Sequence, residues 1–345
     1  MKVAVVGLGS MGQRRTRLIR EYDPSIEIFG IDTMPERCKE AEEKYGVRSY
    51  ASIPELKQAH PDVSCVFIST GPLSHNAIIK TALENNLHVF TEINLVDDGY
   101  AENIRTAKEK NLCLFLSSTF LYRDEVKYIK EKCNQAPQGK LNYIYHIGQY
   151  LPNWHPWEDY RKVFYANPRT NGVREIMAID LPWILDIFGA VKNYKFMRSE
   201  NTTLDLDPAY RDNCYILFEH ENGNKGVFVA DVVSPKTERS FEVYGENFFM
   251  SWDGSATGVR EFVPSTDPDV NPNKVPLREV NVYANGGTNL NNYASFVVEN
   301  AYMNEVKAFF DYVCKGVKPV YTFEDDQKLM NIINDIESKD VGGTF

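Results

Sequence analysis

No stretch of the 345-residue chain approaches the ~20 consecutive apolar residues that a bilayer-crossing helix needs, which excludes a helical membrane protein. The N-terminus has no basic-then-apolar leader, because residues 2–6 enter a strand pattern at once, so the expected location is the cytoplasm. Basic clusters are also scarce. Arg14, Arg15 and Arg17 form the densest group in a chain of net charge -10 at pH 7, whereas a nucleic-acid surface needs clustered Lys and Arg to displace counterions. The six cysteines (Cys38, Cys65, Cys113, Cys133, Cys214, Cys314) form no C-x-x-C pair and share no zinc-like spacing with histidine. No disulfide framework and no metal are expected. Internal repeats and low-complexity runs are missing too, and the Pro/Asn-rich piece from Pro264 to Pro276 reads as a surface loop.

What remains is a soluble composition long enough for two domains. Short β-branched runs alternate with helical patterns over the first third of the chain. Strands are expected at 2–6, 26–31, 63–69, 87–91 and 112–117, and helices at 12–22, 35–45, 76–85 and 100–110. Such alternation implies parallel pairing with right-handed crossovers, hence a doubly wound Rossmann domain over residues 1–120. After Gly139 the pattern becomes long alternating runs at 141–150, 213–220, 226–233 and 240–244, which read as a mostly antiparallel sheet. The expected fold class is therefore α/β followed by α+β, with an open-faced sheet domain over 121–345. Helices close the chain at 302–315 and 324–338, and they are expected to pack back on the first domain. Aromatic residues crowd this sheet, among them Phe241, Tyr244, Phe248, Phe249 and Trp252. They have two readings, one well-packed core or a sheet face that meets a second subunit.

The first chemical signal is Gly7-Leu8-Gly9-Ser10-Met11-Gly12. In a G-x-G-x-x-G turn the first glycine permits the tight bend, the second lets backbone approach a pyrophosphate, and the third lets helix and strand pack closely. The helix N-terminus then offers free N–H groups to the phosphates. This motif follows a strand, opens a helix, and is succeeded 20 residues after Gly12 by Asp32 at the end of the second strand. A carboxylate there accepts from ribose hydroxyls and repels the extra phosphate of NADP, so the expected cofactor is NAD. Arg37 is the one nearby group able to reach a 2′-phosphate instead.

Four further segments accompany that turn: Ser69-Thr70-Gly71-Pro72-Leu73-Ser74-His75, Val89-Phe90-Thr91-Glu92, Tyr302-x-x-Glu305-x-x-x-Phe309, and Phe323-Glu324-Asp325-Asp326. In this order and spacing the chain resembles the glucose-fructose oxidoreductase / inositol dehydrogenase (Gfo/Idh/MocA) family over nearly its whole length. The resemblance implies NAD contacts at Thr70, His75, Glu92 and Asn94. It also implies a sugar, inositol-like or nucleotide-sugar substrate, and homodimers or homotetramers made through the second-domain sheet. The chain departs from the family at two functional positions. Where the family has Glu-Lys-Pro, this sequence reads Glu92-Ile93-Asn94, and counting back from Gly189 puts Glu175, Ile179 and Pro182 where the family has aspartate, histidine and aspartate.

Both departures remove groups that move protons, and oxidation of a carbinol needs an acceptor for the hydroxyl proton. The densest replacement segment runs from Gln149 to Arg161. Its Trp154 and Trp157 faces suit sugar rings, Arg161 can grip an anion, and His155 or Tyr160 can exchange a proton. The competing reading is a loop anchored by Trp and Pro, with a local Glu-Asp-Tyr-Arg ion pair. Asp180 is a third candidate, although one residue along a helix turns a side chain by about 100°, so it cannot simply inherit the slot of Ile179. It can equally cap or kink the helix ahead of Pro182. Glu175 is the better carboxylate for substrate hydroxyls, and Tyr122 and Arg123 lie where family members position substrate or else pack a helix start. The sequence thus points to an NAD(H)-dependent oxidoreductase of sugar-like alcohols or ketones. The alternatives are a catalytically silent NAD-binding sensor, of which the family's galactose-pathway repressor is an example, and a redox-neutral epimerase or lyase that keeps its NAD.

Overall fold

The computed structural model describes residues 1–136, 139–267, 269–282 and 299–344. The chain divides into two compact units, one formed by Met1–Thr119 with Tyr302–Met330 and the other by Phe120–Ala301 with Asn331–Phe345.

The first unit is built on six parallel strands: β1 (Lys2–Val6), β2 (Glu27–Ile31), β3 (Arg48–Tyr50), β4 (Cys65–Ile68), β5 (His88–Thr91) and β6 (Leu114–Leu116). Their order is β3-β2-β1-β4-β5-β6, so the strand order reverses between β1 and β4, as a doubly wound fold requires. Residues 3–6 and 65–68 are all buried, because helices cover both faces and leave no polar side to the central strands. Phe67, Phe90 and Phe115 sit in register on adjacent strands, stacked at 4.8 and 5.0 Å. Phe309, on the helix Glu299–Lys315, meets all three edge-on. Two short elements went unread in the sequence. They are β3 and the helix Ile53–Ala59, whose N-cap Ser52 accepts from the Glu55 N–H. Three and seven residues are too few to display a period.

The second unit carries nine strands: β7 (Asn142–Gly148), β8 (Val191–Ser199), β9 (Asn213–His220), β10 (Lys225–Asp231), β11 (Glu238–Gly245), β12 (Phe248–Trp252), β13 (Val259–Glu261), β14 (Arg278–Val280) and β15 (Val341–Gly343). Their order is β14-β13-β12-β11-β7-β10-β9-β8-β15. Pairing is antiparallel throughout except between β7 and β10. Strand β8 escaped the sequence reading because Arg198 faces inward and Met197 outward, which blurs the apolar alternation, and because a bulge shifts its start between Val191 and Asn193. Tyr143, Tyr145 and Ile147 of β7 point to the face covered by the helix Gly172–Phe188, while Ile144 is 42% exposed on the other. That second face continues through Met197, Tyr215, Leu217 and Tyr244, each 40% exposed or more. The expected loop from Pro264 to Pro276 includes one helical turn, Pro272–Lys274, and Pro268 lies outside the described residues.

Candidate functional site

The glycine turn of the first unit is built as the motif requires. Gly7 has φ +87, and a Cβ there would stand 2.7 Å from the Ser69 carbonyl oxygen. A Cβ on Gly12 would stand 1.8 Å from the Gly7 carbonyl oxygen, so only glycine lets the helix Ser10–Tyr22 start this close to β1. Gly9 is different, since a Cβ there meets nothing nearer than the Arg37 guanidinium at 3.5 Å. The space above Gly9 is thus held open by the missing side chain rather than filled by protein backbone. Gly9 is also the N-cap of that helix, and no side chain caps it, which leaves first-turn amides for an anion.

Asp32 closes one side of this cradle. Its Oδ2 accepts from the Leu8 N–H at 2.7 Å and its Oδ1 from the Met34 N–H at 2.9 Å. Arg37 approaches the same carboxylate at 3.8 Å. A cavity of about 510 Å³ extends from here, lined by Gly7, Asp32 and Arg37 on one side and by Ser52, Ile53, Pro54 and Thr70 further on. This is the volume range of small-ligand pockets. The wall formed by Ser52 to Pro54 was invisible to the sequence reading because its helix was.

Beyond the cradle, Thr70, His75, Glu92 and Asn94 are brought together. His75 is buried, and burial pushes its imidazole below the ordinary value, so the ring is neutral. Its Nε2 lies 2.9 Å from the Thr70 carbonyl, which can only accept, so Nε2 carries the proton. Nδ1 then lies 3.2 Å from Thr91 Oγ1 and 2.6 Å from Asn94 Oδ1, and because an amide oxygen cannot donate, the Asn94 side chain pairs with Nδ1 when turned over to present Nδ2, which otherwise has no partner among the described residues. Glu92 is clamped by Arg15 at 2.6 and 2.9 Å. The same guanidinium reaches Glu305 at 2.8 Å, and Glu305 in turn accepts from Ser117 Oγ and the Ser118 N–H. Arg15 was read only as part of a short basic run. What betrays its role is its place on the inward face of the helix that follows the glycine turn.

In the second unit, a smaller cavity of about 160 Å³ is lined by Ile147, Gly148, Gln149, Trp154, Glu175, Ile176, Ile179, Thr237, Glu238 and Arg239. Glu175 and Ile179 are one turn apart on the helix Gly172–Phe188 and share this wall. Glu175 Oε2 is shielded from solvent and has no hydrogen-bond partner among the described residues. Burial pushes its carboxyl up to about 8.

The remaining expected residues fall elsewhere. Asp180 is fully buried, and its Oδ1 accepts from Tyr145 Oη at 2.7 Å, from Trp183 Nε1 at 3.2 Å and from Arg239. It neither caps nor ends its helix, because the N-cap is Asn171 and the helix runs through Pro182 to Phe188. Arg123 is packed inside the second unit against Glu125 at 2.6 Å, the Gly254 carbonyl at 2.9 Å and the Trp252 ring, with Tyr122 buried beside it. Arg161 is bidentate to Asp159 and also meets Asp205. His155 stacks on Trp157, which is 77% exposed, and neither they nor Tyr160 line the cavity, unlike Trp154. No group of three or more His, Cys, Asp or Glu suited to a metal occurs among the described residues, and no described helix is long and apolar enough to cross a membrane.

A parallel sheet whose strand order reverses, a cradle only glycine can form and an acidic residue fixed beside it define an NAD-binding Rossmann domain. Residues 1–117 match the model of the oxidoreductase family GFO_IDH_MocA, NAD-binding Rossmann fold. It is 25% identical over 144 residues to myo-inositol 2-dehydrogenase of Thermotoga maritima, an alignment that spans 41% of this chain and 42% of that protein. Among solved structures, levoglucosan dehydrogenase in complex with NADH and levoglucosan superimposes with a TM-score of 0.79 at 16% identity, over 98% of this chain and 96% of the other. UDP-N-acetylglucosamine 3-dehydrogenase from Acidithiobacillus ferrooxidans does so with a TM-score of 0.71 at 14% identity, over 98% and 97%. At these identities the likeness is one of fold, and it extends through both units.

Proposed function

We propose that the protein is an NAD(H)-dependent oxidoreductase acting on the hydroxyl or carbonyl group of a sugar, an inositol-like ring or a nucleotide sugar. The observation that carries the substrate half is the second-unit cavity, which combines an apolar wall of Trp154, Ile176 and Ile179 with the polar groups of Gln149, Glu175, Thr237 and Arg239. A polyol ring presents the same mixture, C–H faces and a rim of hydroxyls. The relatives point the same way, since myo-inositol, levoglucosan and a nucleotide sugar are their substrates or ligands.

In this reading the amides of residues 9–12 hold the pyrophosphate, and Asp32, fixed by two backbone donors, accepts from the adenosine ribose. Thr70, His75, Glu92 and Asn94 hold the rest of the dinucleotide, with Arg15 preventing Glu92 from swinging. When bound, NAD supplies a two-electron acceptor at its nicotinamide, and NADH the matching donor. Glu175 engages a substrate hydroxyl. Incubation with NAD and myo-inositol, levoglucosan or UDP-N-acetylglucosamine is expected to produce the near-ultraviolet absorbance of NADH with one of them. NAD binding without any turnover would overturn the proposal.

That negative result would favour a second reading, an NAD-binding sensor. Its support is that isoleucine stands at both 93 and 179, where the family keeps proton-moving side chains. We also propose that copies associate through the exposed sheet face. Ile144, Met197, Tyr215, Leu217 and Tyr244 stand exposed on that face, with Val227 of β10 paired between Ile144 and Leu217, and monomers rarely leave so much apolar surface open.

A further inference from the structure

We infer that Glu175 is the group that takes the substrate's hydroxyl proton, standing in from one turn away for the histidine whose slot Ile179 occupies. The inference rests on the oxidoreductase reading above and deepens it. Ile179 lines the cavity of the second unit, so the slot does open where a substrate would sit, but an alkyl side chain fills it. Glu175 occupies the same face of the helix and reaches the same cavity, whereas the 100° offset turns Asp180 away into contacts with Tyr145, Trp183 and Arg239. Of the two carboxylates, only Glu175 faces the cavity, and its Oε2 has no partner among the described residues. A buried acceptor without a partner is costly, and a ligand hydroxyl would satisfy it.

The surroundings decide how that carboxyl titrates. Tyr165 and Tyr210 lie close enough to couple to it electrostatically, and Glu238 and Arg239 share its cavity. Arg239 is the one cation among them, and Asp180 and Tyr145 hold it. Among the described residues no cation therefore pairs with Glu175, and loss of solvent is what pushes its carboxyl up to about 8. A base with that value is well matched to work near neutral pH. In the oxidation direction the carbinol C–H bond breaks and its hydrogen passes with the bonding electron pair to NAD⁺. The O–H proton goes to the Glu175 carboxylate. The products are the ketone, NADH and the neutral Glu175 acid, which then returns its proton to solvent.

The test compares wild type with Glu175→Gln and Glu175→Asp, using NAD with myo-inositol, levoglucosan and UDP-N-acetylglucosamine as probes. Oxidation by wild type should rise with pH through about 8. Glu175→Gln should fold normally, bind NAD as tightly, lose about 10²-fold or more in kcat/KM, and lose that pH dependence. Glu175→Asp should recover part of the rate. An activity-independent readout is infrared difference spectroscopy, in which a protonated-carboxyl band should disappear across the same pH range in wild type and be absent in Glu175→Gln. If Glu175→Gln keeps the rate and its pH limb, or if the band is unchanged by the substitution, Glu175 is not the proton acceptor and the oxidoreductase reading still stands. If wild type binds NAD and oxidises none of the probes, the oxidoreductase reading fails and this inference falls with it.

Discussion

Replacing Glu175 by glutamine should stabilise the protein, and by an amount that depends on pH. In the folded chain the carboxyl is carried from an ordinary 4.5 to about 8 because its Oε2 has neither solvent nor a partner among the described residues. Between those values the native state keeps a proton that the unfolded state has released. Unfolding is therefore favoured progressively as pH rises, and the effect saturates above the folded value. The full penalty on the ionised form is at most about 5 kcal/mol. Glu175 is not wholly withdrawn from solvent, and relaxation of the partly open cavity reduces the penalty, so a difference of roughly 2–4 kcal/mol is expected. Glutamine keeps the shape and cannot ionise. Urea unfolding of both proteins should give nearly equal stabilities near pH 5, with Glu175→Gln more stable by that margin near pH 9. A difference that is the same at both pH values would refute the claim that burial, unrelieved by any partner, governs this carboxyl.

Other positions can be tested as simply. Gly12→Ala should cost about 3 kcal/mol or more and abolish NAD binding, since its Cβ would lie 1.8 Å from the Gly7 carbonyl oxygen, and thermal melts with calorimetry will show both. Asp32→Ala should weaken NAD by about 10-fold or more and narrow its preference over NADP, measured by titrating both nucleotides. Arg15→Met strands Glu92 and Glu305 in the interior and should destabilise the protein by about 3–5 kcal/mol in denaturant melts. Leu217→Asp, at a side chain 51% exposed on the open sheet face, should leave the melting temperature nearly unchanged while shifting light-scattering mass to that of a single chain.

The parallel sheet of the first unit was legible because its strands are short apolar runs set between turn glycines and charged helices. The observed strands lie inside the expected ones, β4 at Cys65–Ile68 within 63–69 for example. The glycine turn was legible for a stronger reason, since Gly7 and Gly12 answer steric demands that no other residue meets, while Gly9 leaves open space above the turn. Strand β8 was lost to an inward Arg198 and an outward Met197, and β3 to its three-residue length. Site chemistry in the second unit was harder to read. Helical geometry alone separated Glu175 from Asp180, but nothing in the sequence revealed that Arg239, 59 positions downstream of Asp180, engages it and so leaves Glu175 without a cation among the described residues. Likewise the run His155 to Arg161 looks chemically rich in one dimension, yet its charges are spent on Asp159, Asp205 and Glu158 within the loop's own neighbourhood.

Every functional statement depends on the first-unit cradle receiving a dinucleotide, and calorimetric titration tests this most directly. Wild type should bind NAD more tightly than NADP, whereas Gly9→Trp, whose side chain would fill the space above the turn without meeting backbone, should melt like wild type and give no heat with NAD. Absence of NAD binding by wild type, or undiminished binding by Gly9→Trp, would contradict the account.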